Sequence, residues 1–413
     1  MKEEIRCHLQ NPVQLEKLYR NNKLQFQQSF NTIYPELRGI TIADFWNERL
    51  NYQNREIIRG SGKELLFVIL AALIAGFIAK LPAIFNISED FFYPRNIGFI
   101  IIPFLMAYFS WKHQLPAGKI IFIAVATLAG LVFINSIPDM NQSDTSILSC
   151  IHLVLFLWCL VGFAFAGNWR HGEEKRLDFL KYNGDLLVIT ALILIAGGIL
   201  TAITLGLFSL IGFQIEQFYF ENIVLFALPA APIIGTYLIR NNPQLVGKVS
   251  PVIATIFCPL VLIMLVIYLG AIIYSGKDPY NDRDFLMIFN VLLIGVMGII
   301  FFSFSESDKT KTATEIWILF LLSAITIIVN GIAISAILFR ITEWGITPNR
   351  AAILGVNVLI LVHLFLVTTK LFRLVQGKNN IATVGKSIAS FLPIYFIWTI
   401  LVTFIFPLLF GFK

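Results

Sequence analysis

Asn290, Asn330, Asn357 and His363 interrupt otherwise apolar runs in the C-terminal third of the chain. Amide and imidazole groups at such positions have two uses. They hydrogen-bond one helix to the next, or they line a polar path through a bilayer. The spacing of the runs predicts Asn330 and His363 at comparable depth on successive antiparallel helices. No Asp or Glu is expected well inside a run, which disfavours a carboxylate-driven ion pump but not a facilitator. Lys80 lies close enough to the end of its run to reach the surface with its ammonium.

The most structured polar stretch is RITEWGITPNR, residues 340–350. Trp344-Gly345 suits a turn, and Thr347-Pro348 reads as an N-cap followed by proline at the first helical position. Arg340, Glu343 and Arg350 fall within reach of one another, so the segment reads either as a local ion pair that fixes a joint or as an anion contact by Arg350 at a helix N-terminus. Glu89-Asp90 is an acidic pair in the first loop of its side. Such a pair, set beside Arg340 or Arg350, is what an envelope enzyme using lipid-linked substrates would require. The loop SGKDPYNDRD carries Asp278, Asp282 and Asp284 but lacks the glycine turn and distal Glu of a calcium loop. Cys7, Cys150, Cys159 and Cys258 form no C-x-x-C pair, and the last three sit in apolar runs as small hydrophobes. No metal site, cofactor or catalytic residue is assigned.

The elements that must carry these residues follow from composition. Of the 413 residues, 57% are hydrophobic and 14% charged, with a mean hydropathy of +0.78. A soluble chain sits near about 45–50% apolar and about 25% charged. This excludes an ordinary soluble enzyme, a disordered chain and a coiled coil. Eleven apolar segments are long enough to be read as spans, near 64–84, 97–111, 118–137, 147–168, 185–212, 222–239, 250–275, 285–305, 315–339, 351–371 and 388–410. A spanning helix needs about 20 such residues. The second segment is the weakest, being short and holding Pro103. Continuous runs such as LLVITALILIAGGIL exclude a membrane β-barrel. The fold expected is therefore all-α: a polytopic transmembrane helix bundle over residues 63–413, preceded by a short cytoplasmic helical head, residues 1–62.

Orientation follows from the bases. Under this topology 24 Lys and Arg fall on the side of the N-terminus and six on the other, with Lys80 inside the first span. That inequality predicts a cytoplasmic N-terminus and an external C-terminus. It also accounts for the formal charge of +6 without nucleic acid, because the bases are spread over loops rather than gathered in one stripe. No cleavable signal peptide is expected at MKEEIRCHLQ, which lacks an apolar core.

The head reads as two helical pieces. One begins at Asn11-Pro12 and is broken at Tyr34-Pro35. The other begins at Thr41, with Asp44 as a variant capping box and Ile42, Phe45, Trp46, Arg49 and Leu50 on one face. Gly60 and Gly62 make a flexible joint to the first span. The head is either a hairpin on the ends of the spans or a docking module for a protein partner or the headgroup layer, with Phe45 and Trp46 in contact.

NPVQLEKLYRNNKLQFQQSFNTIYPEL, the following DFWNERLNY, and the distal EWGITPNR resemble an uncharacterised bacterial family of multi-pass inner-membrane proteins, annotated only as a domain of unknown function. The resemblance lies in the basic helical head and in an aromatic-Gly-(Leu/Ile)-Thr-x-x-Arg joint, here Trp344, Gly345, Ile346, Thr347 and Arg350. It implies a bacterial inner-membrane location and no reaction. The leading functional expectation is a transporter or flippase-like permease, with helices broken at Pro229/Pro232, Pro259 and Pro393. The alternative is a sensor, scaffold or envelope assembly factor acting through the head. The lipid bilayer is the one partner expected in every case.

Overall fold

The computed structural model describes residues 2–56, 62–138, 143–167, 172–210, 214–241, 258–263, 265–267, 269–270, 280, 283–305, 312–378 and 380–412. Every regular element among them is helical. The chain divides into two compact units, Met1–Leu65 and Leu66–Lys413.

The first unit contains α1 (Lys2–Cys7), α2 (Pro12–Asn21), α3 (Lys23–Leu37) and α4 (Thr41–Glu56). Asn11 caps α2 by accepting from the Gln14 N–H at 3.2 Å, with Pro12 at the first position. The break falls at Asn22, not at Tyr34-Pro35. Asn22 leaves the helical region (φ −152°, ψ 90°) and caps α3 through the Gln25 N–H. Pro35 is carried within the last turn of α3, where only one backbone bond is forfeited. The capping box expected at Thr41 does not form. Asp44 instead accepts from the Tyr34 hydroxyl at 3.0 Å and the Gly39 N–H at 3.3 Å, tying the end of α3 to the start of α4.

This unit has its own core, with Phe26, Phe30, Leu15 and Trp46 in contact. Trp46 meets Phe26 at 5.1 Å and Tyr19 at 5.5 Å between ring centroids. The face predicted for α4 therefore divides: Trp46 is 3% exposed, whereas Phe45 is 63% exposed.

The second unit is the helix bundle. Nine of its described helices are long and apolar enough to cross a membrane. They are α5 (Gly62–Phe85), α6 (Glu89–Lys112), α7 (Ala117–Ser136), α8 (Asp144–Ala166), α9 (Gly172–Leu210), α10 (Glu216–Asn241), α12 (Ala313–Trp344), α13 (Pro348–Val375) and α14 (Ile381–Leu409). Helix α11 (Arg283–Ser305) holds a shorter apolar stretch, Leu292–Phe304, and the described positions within 258–270 are also apolar and helical. The chain is thus an all-α polytopic bundle. Large apolar side chains face outward along it: Ile121, Val125 and Val132 on α7, and Ile195, Ile199 and Ile203 on α9, are all more than half exposed. A surface of that kind is stable in lipid and not in water.

Two segments are longer than predicted. The second span begins at Glu89, not near 97, because Glu89 and Asp90 supply the acidic first turn of α6. Residues 172–184, expected as a loop, form the first turns of α9. Charged residues hid both extensions.

The expected breaks at Pro229/Pro232 and Pro393 are absent, since α10 and α14 run through them. Irregularity appears instead as π turns at Phe220–Val224 and Leu401–Ile405. Two of the carbonyls that proline leaves unpaired, four residues earlier, find other donors. Ala389 O accepts from Arg176 Nη1 at 3.1 Å, and Thr403 O, freed by Pro407, accepts from Ser149 Oγ at 2.9 Å. Both donors come from neighbouring helices, so these carbonyls are satisfied across the bundle.

Two apolar clusters form the bundle interior, one built mainly on α5–α8 and one on α11–α14, with α14 contributing to both. Helices α12 and α13 pack along much of their length. Approach of α13 to α14 depends on Gly355, where an added Cβ would fall 1.9 Å from the Trp398 ring.

Candidate functional site: a buried polar seam between late helices

The polar residues of the last apolar runs converge inside the second cluster. Asn357 on α13 donates its Nδ2 to Asn290 Oδ1 on α11 at 2.6 Å. Asn330 on α12 donates to the backbone oxygen of Asn357 at 3.1 Å. These amides link three helices, and both Asn330 and Asn357 are 0% exposed. Ser323 and Thr326 lie on the same face of α12 as Asn330 and are equally buried, each bonded back to its own helix. The sequence reading missed them because isolated Ser and Thr are common in apolar helices; the 323, 326, 330 spacing is the signal that would have found them.

The equal depth predicted for Asn330 and His363 is not what the helices do. Asn330 lies level with Asn357, and His363 follows six positions later, about 9 Å further along α13. His363 is fully buried, with Nδ1 3.1 Å from the Tyr395 hydroxyl on α14. Its ring lies 4.4 Å from Phe391 and 4.6 Å from Phe301. The Tyr395 hydroxyl continues to the Met297 sulfur at 3.7 Å.

The seam is under-satisfied. Asn330 Oδ1, Asn357 Oδ1 and His363 Nε2 are buried and have no hydrogen-bond partner among the described residues. Each such atom costs about 1–3 kcal/mol unless something supplies its bond. The members of the seam carry no carboxylate. They offer amide, hydroxyl and imidazole groups, which suit a neutral or dipolar hydrogen-bonding ligand.

The joint at 340–350 is assembled without the expected Glu343 ion pair among the described residues. Arg350 Nη1 donates to Trp344 O at 3.0 Å and Gly345 O at 2.6 Å, closing the C-terminus of α12. Its backbone N–H bonds to Thr347 Oγ1, the N-cap of α13. Arg340 Nε donates to Tyr280 O at 2.8 Å. Both guanidinium groups lie over the Trp344 ring, at 5.6 Å and 5.7 Å. Glu343 is exposed and forms no ion pair with either arginine among the described residues. Among the described residues, the bonds that hold the joint go to backbone carbonyls.

Glu89 and Asp90 are exposed in the first turn of α6. Lys80 bonds to Asn222 in the π turn of α10. His152 uses Nδ1 on the Leu148 carbonyl of its own helix at 2.9 Å. Cys150 and Cys159 are half-buried, Cys7 is exposed and Cys258 is buried with its Sγ 3.1 Å from Ser303 Oγ, and none of the four is in a disulfide. Asp278, Asp282 and Asp139 lie outside the described residues.

Two buried charges stand where loop or edge residues were expected. Arg95 is 8% exposed within α6, donating at 2.8 Å to both Ile134 O and Ile137 O at the end of α7. Asp185 is 6% exposed within α9, so a carboxylate does lie inside a long apolar helix. Arg95 was placed just before its span and Asp185 at the first residue of its own, because the helix starts were set too late. Comparison with protein-family models, with curated proteins and with solved structures finds no match to this chain.

Proposed function

We propose that this integral membrane protein is a permease-type carrier whose substrate contacts are made at the seam of Asn290, Asn330, Asn357, His363 and Tyr395. The observation that carries the reading is the trio of buried polar atoms, Asn330 Oδ1, Asn357 Oδ1 and His363 Nε2, that have no partner among the described residues. Polar groups used only to join helices would be expected to close on one another. The proposal includes the cytoplasmic N-terminus that the distribution of bases predicts, a bacterial inner-membrane location, and membership of the uncharacterised family that the head and the Trp344–Arg350 joint resemble.

Accessibility tests it without knowledge of the substrate. Asn330→Cys and His363→Cys are placed singly in a background where the four native cysteines are replaced, and treated with a membrane-impermeant thiol reagent from each side. Modification that depends on the side of addition supports a path reaching the seam. Complete protection from both sides, in protein that retains its fold, reduces the seam to helix-joining contacts and overturns the reading.

A further inference from the structure

The N-terminal unit carries a groove of about 770 Å³ between α2 and α4. Its apolar lining includes Val13, Ile42 and Phe45, and Val13 and Phe45 are 64% and 63% exposed. Lys17, Arg20 and Arg49 also line it, against one carboxylate, Glu16. Glu16 is already shared, bonded to Arg20 at 2.9 Å and to Arg49 at 3.1 Å. The groove therefore keeps an excess of positive charge beside two large apolar side chains that the core of this unit does not bury. Apolar residues bordered by bases are the composition of an interfacial membrane contact.

A lipid surface is also the partner nearest to hand. Residues 57–61 alone separate the end of α4 from the first apolar helix. Five residues reach at most about 18 Å even when extended. A polybasic surface tethered to a membrane-embedded helix gains from each base that enters the field of anionic lipid.

We infer that the α2–α4 groove is a docking site for anionic phospholipid, with Val13 and Phe45 entering the headgroup layer and Lys17 and Arg20 contacting lipid phosphate. This differs from the sequence expectation in one residue: Trp46 is a core side chain, and Val13 takes its place at the surface. The inference rests on the chain being membrane-embedded and not on the carrier reading.

Amide hydrogen exchange of the full-length protein in nanodiscs tests it. One disc contains phosphatidylcholine alone and the other also contains phosphatidylglycerol. Peptides covering 12–20 and 41–50 are expected to exchange about tenfold or more slowly in the anionic disc, the factor that two bases of about fivefold each readily supply. The difference should shrink as salt shortens the Debye length. Val13→Ser with Phe45→Ser, both at exposed positions, should abolish it, and Lys17→Gln, which leaves the Arg20–Glu16 bond in place, should weaken it, while exchange in the neutral disc is unchanged. Equal exchange in the two discs overturns the inference. So does protection that appears only on adding a soluble protein fraction, since the groove then serves a protein partner. Failure here leaves the accessibility test of Asn330 and His363 untouched.

Discussion

Arg176 on α9 donates to the backbone oxygen of Ala389 on α14, the acceptor that Pro393 deprives of its own helical partner. The bond spans 213 residues of sequence and satisfies a carbonyl that would otherwise face apolar surroundings. Its energetic weight depends on the proline. Arg176→Met should destabilise the protein by about 1–3 kcal/mol, the cost of leaving a buried acceptor unpaired. In a Pro393→Ala background the helix regains its own bond, and the same substitution should cost less than half as much. Denaturant titration of purified protein in detergent gives both values, and equal costs in the two backgrounds would contradict the bracing role.

Asn357 and Asn290 form the shortest described bond of the seam, at 2.6 Å. Asn357→Ala removes a donor and leaves Asn290 Oδ1 without it, so a loss of about 1–3 kcal/mol is expected. A double-mutant cycle with Asn290→Ala should return a coupling of about 0.6–1.7 kcal/mol, the range of interhelical bonds in membranes. Zero coupling would mean the two amides do not bond in the bilayer.

His363 has two attachments that separate by substitution. Tyr395→Phe deletes the hydroxyl and should cost about 0.5–1.5 kcal/mol. His363→Ala also empties the space between Phe301 and Phe391 and should cost about 2–5 kcal/mol. Comparable unfolding midpoints for the two variants would show that the rings contribute nothing beyond the hydrogen bond.

Gly345 ends α12 at φ +76°, ψ 173°, a conformation open in practice to glycine alone. Gly345→Ala is expected to lose about 1–3 kcal/mol through that strain. Arg350→Ala should lose about 0.5–1.5 kcal/mol, less than a buried pair would, because the two carbonyls it caps are exposed. The two substitutions act on one turn, so their combined effect should fall short of the sum. Additive losses would indicate separate roles.

In the N-terminal unit, the hydrogen bond from Arg20, with the nearby charge of Arg49, holds the Glu16 carboxyl below the usual carboxylate range. A depressed folded value means the contribution is fully present above the ordinary Glu pKa of about 4.3 and is lost as pH falls through the folded one. Protection of amides over residues 12–50, relative to their intrinsic exchange rate at each pH, should therefore fall below about pH 4. Glu16→Gln should remove the part of that acid limb due to Glu16, while an unchanged limb would assign it to other carboxylates.

Fold class was legible in the chain because a bilayer leaves only one solution for long apolar segments: each must satisfy its backbone internally as a helix. Cap chemistry was local enough to read, as at Asn11-Pro12 and Thr347-Pro348, where the side chain and the N–H it serves lie within one turn. Asp44 shows the limit of that logic, since its acceptor was claimed by Tyr34 and Gly39 across a turn. Helix starts were misjudged wherever charge was taken as loop, which displaced Arg95 and Asp185 to the margins.

The candidate site was legible only as a set of residue types. Asn290, Asn330, Asn357 and His363 stand out in apolar runs whatever their neighbours. Which of them meet depends on the rotation of each helix and the register between partners, and apolar positions all round a membrane helix leave both undetermined. Tertiary packing set Asn330 level with Asn357, placed His363 against Tyr395, and turned inward three polar atoms that have no partner among the described residues. It likewise sent Trp46 inward and Phe45 outward on the same turn of α4. The sequence by itself determined that the chain is a bundle of membrane helices with a polar head, because burial of backbone polar groups is a property of each segment alone. Only the tertiary structure decided which side chains share a site, because that is a property of pairs of segments far apart in sequence.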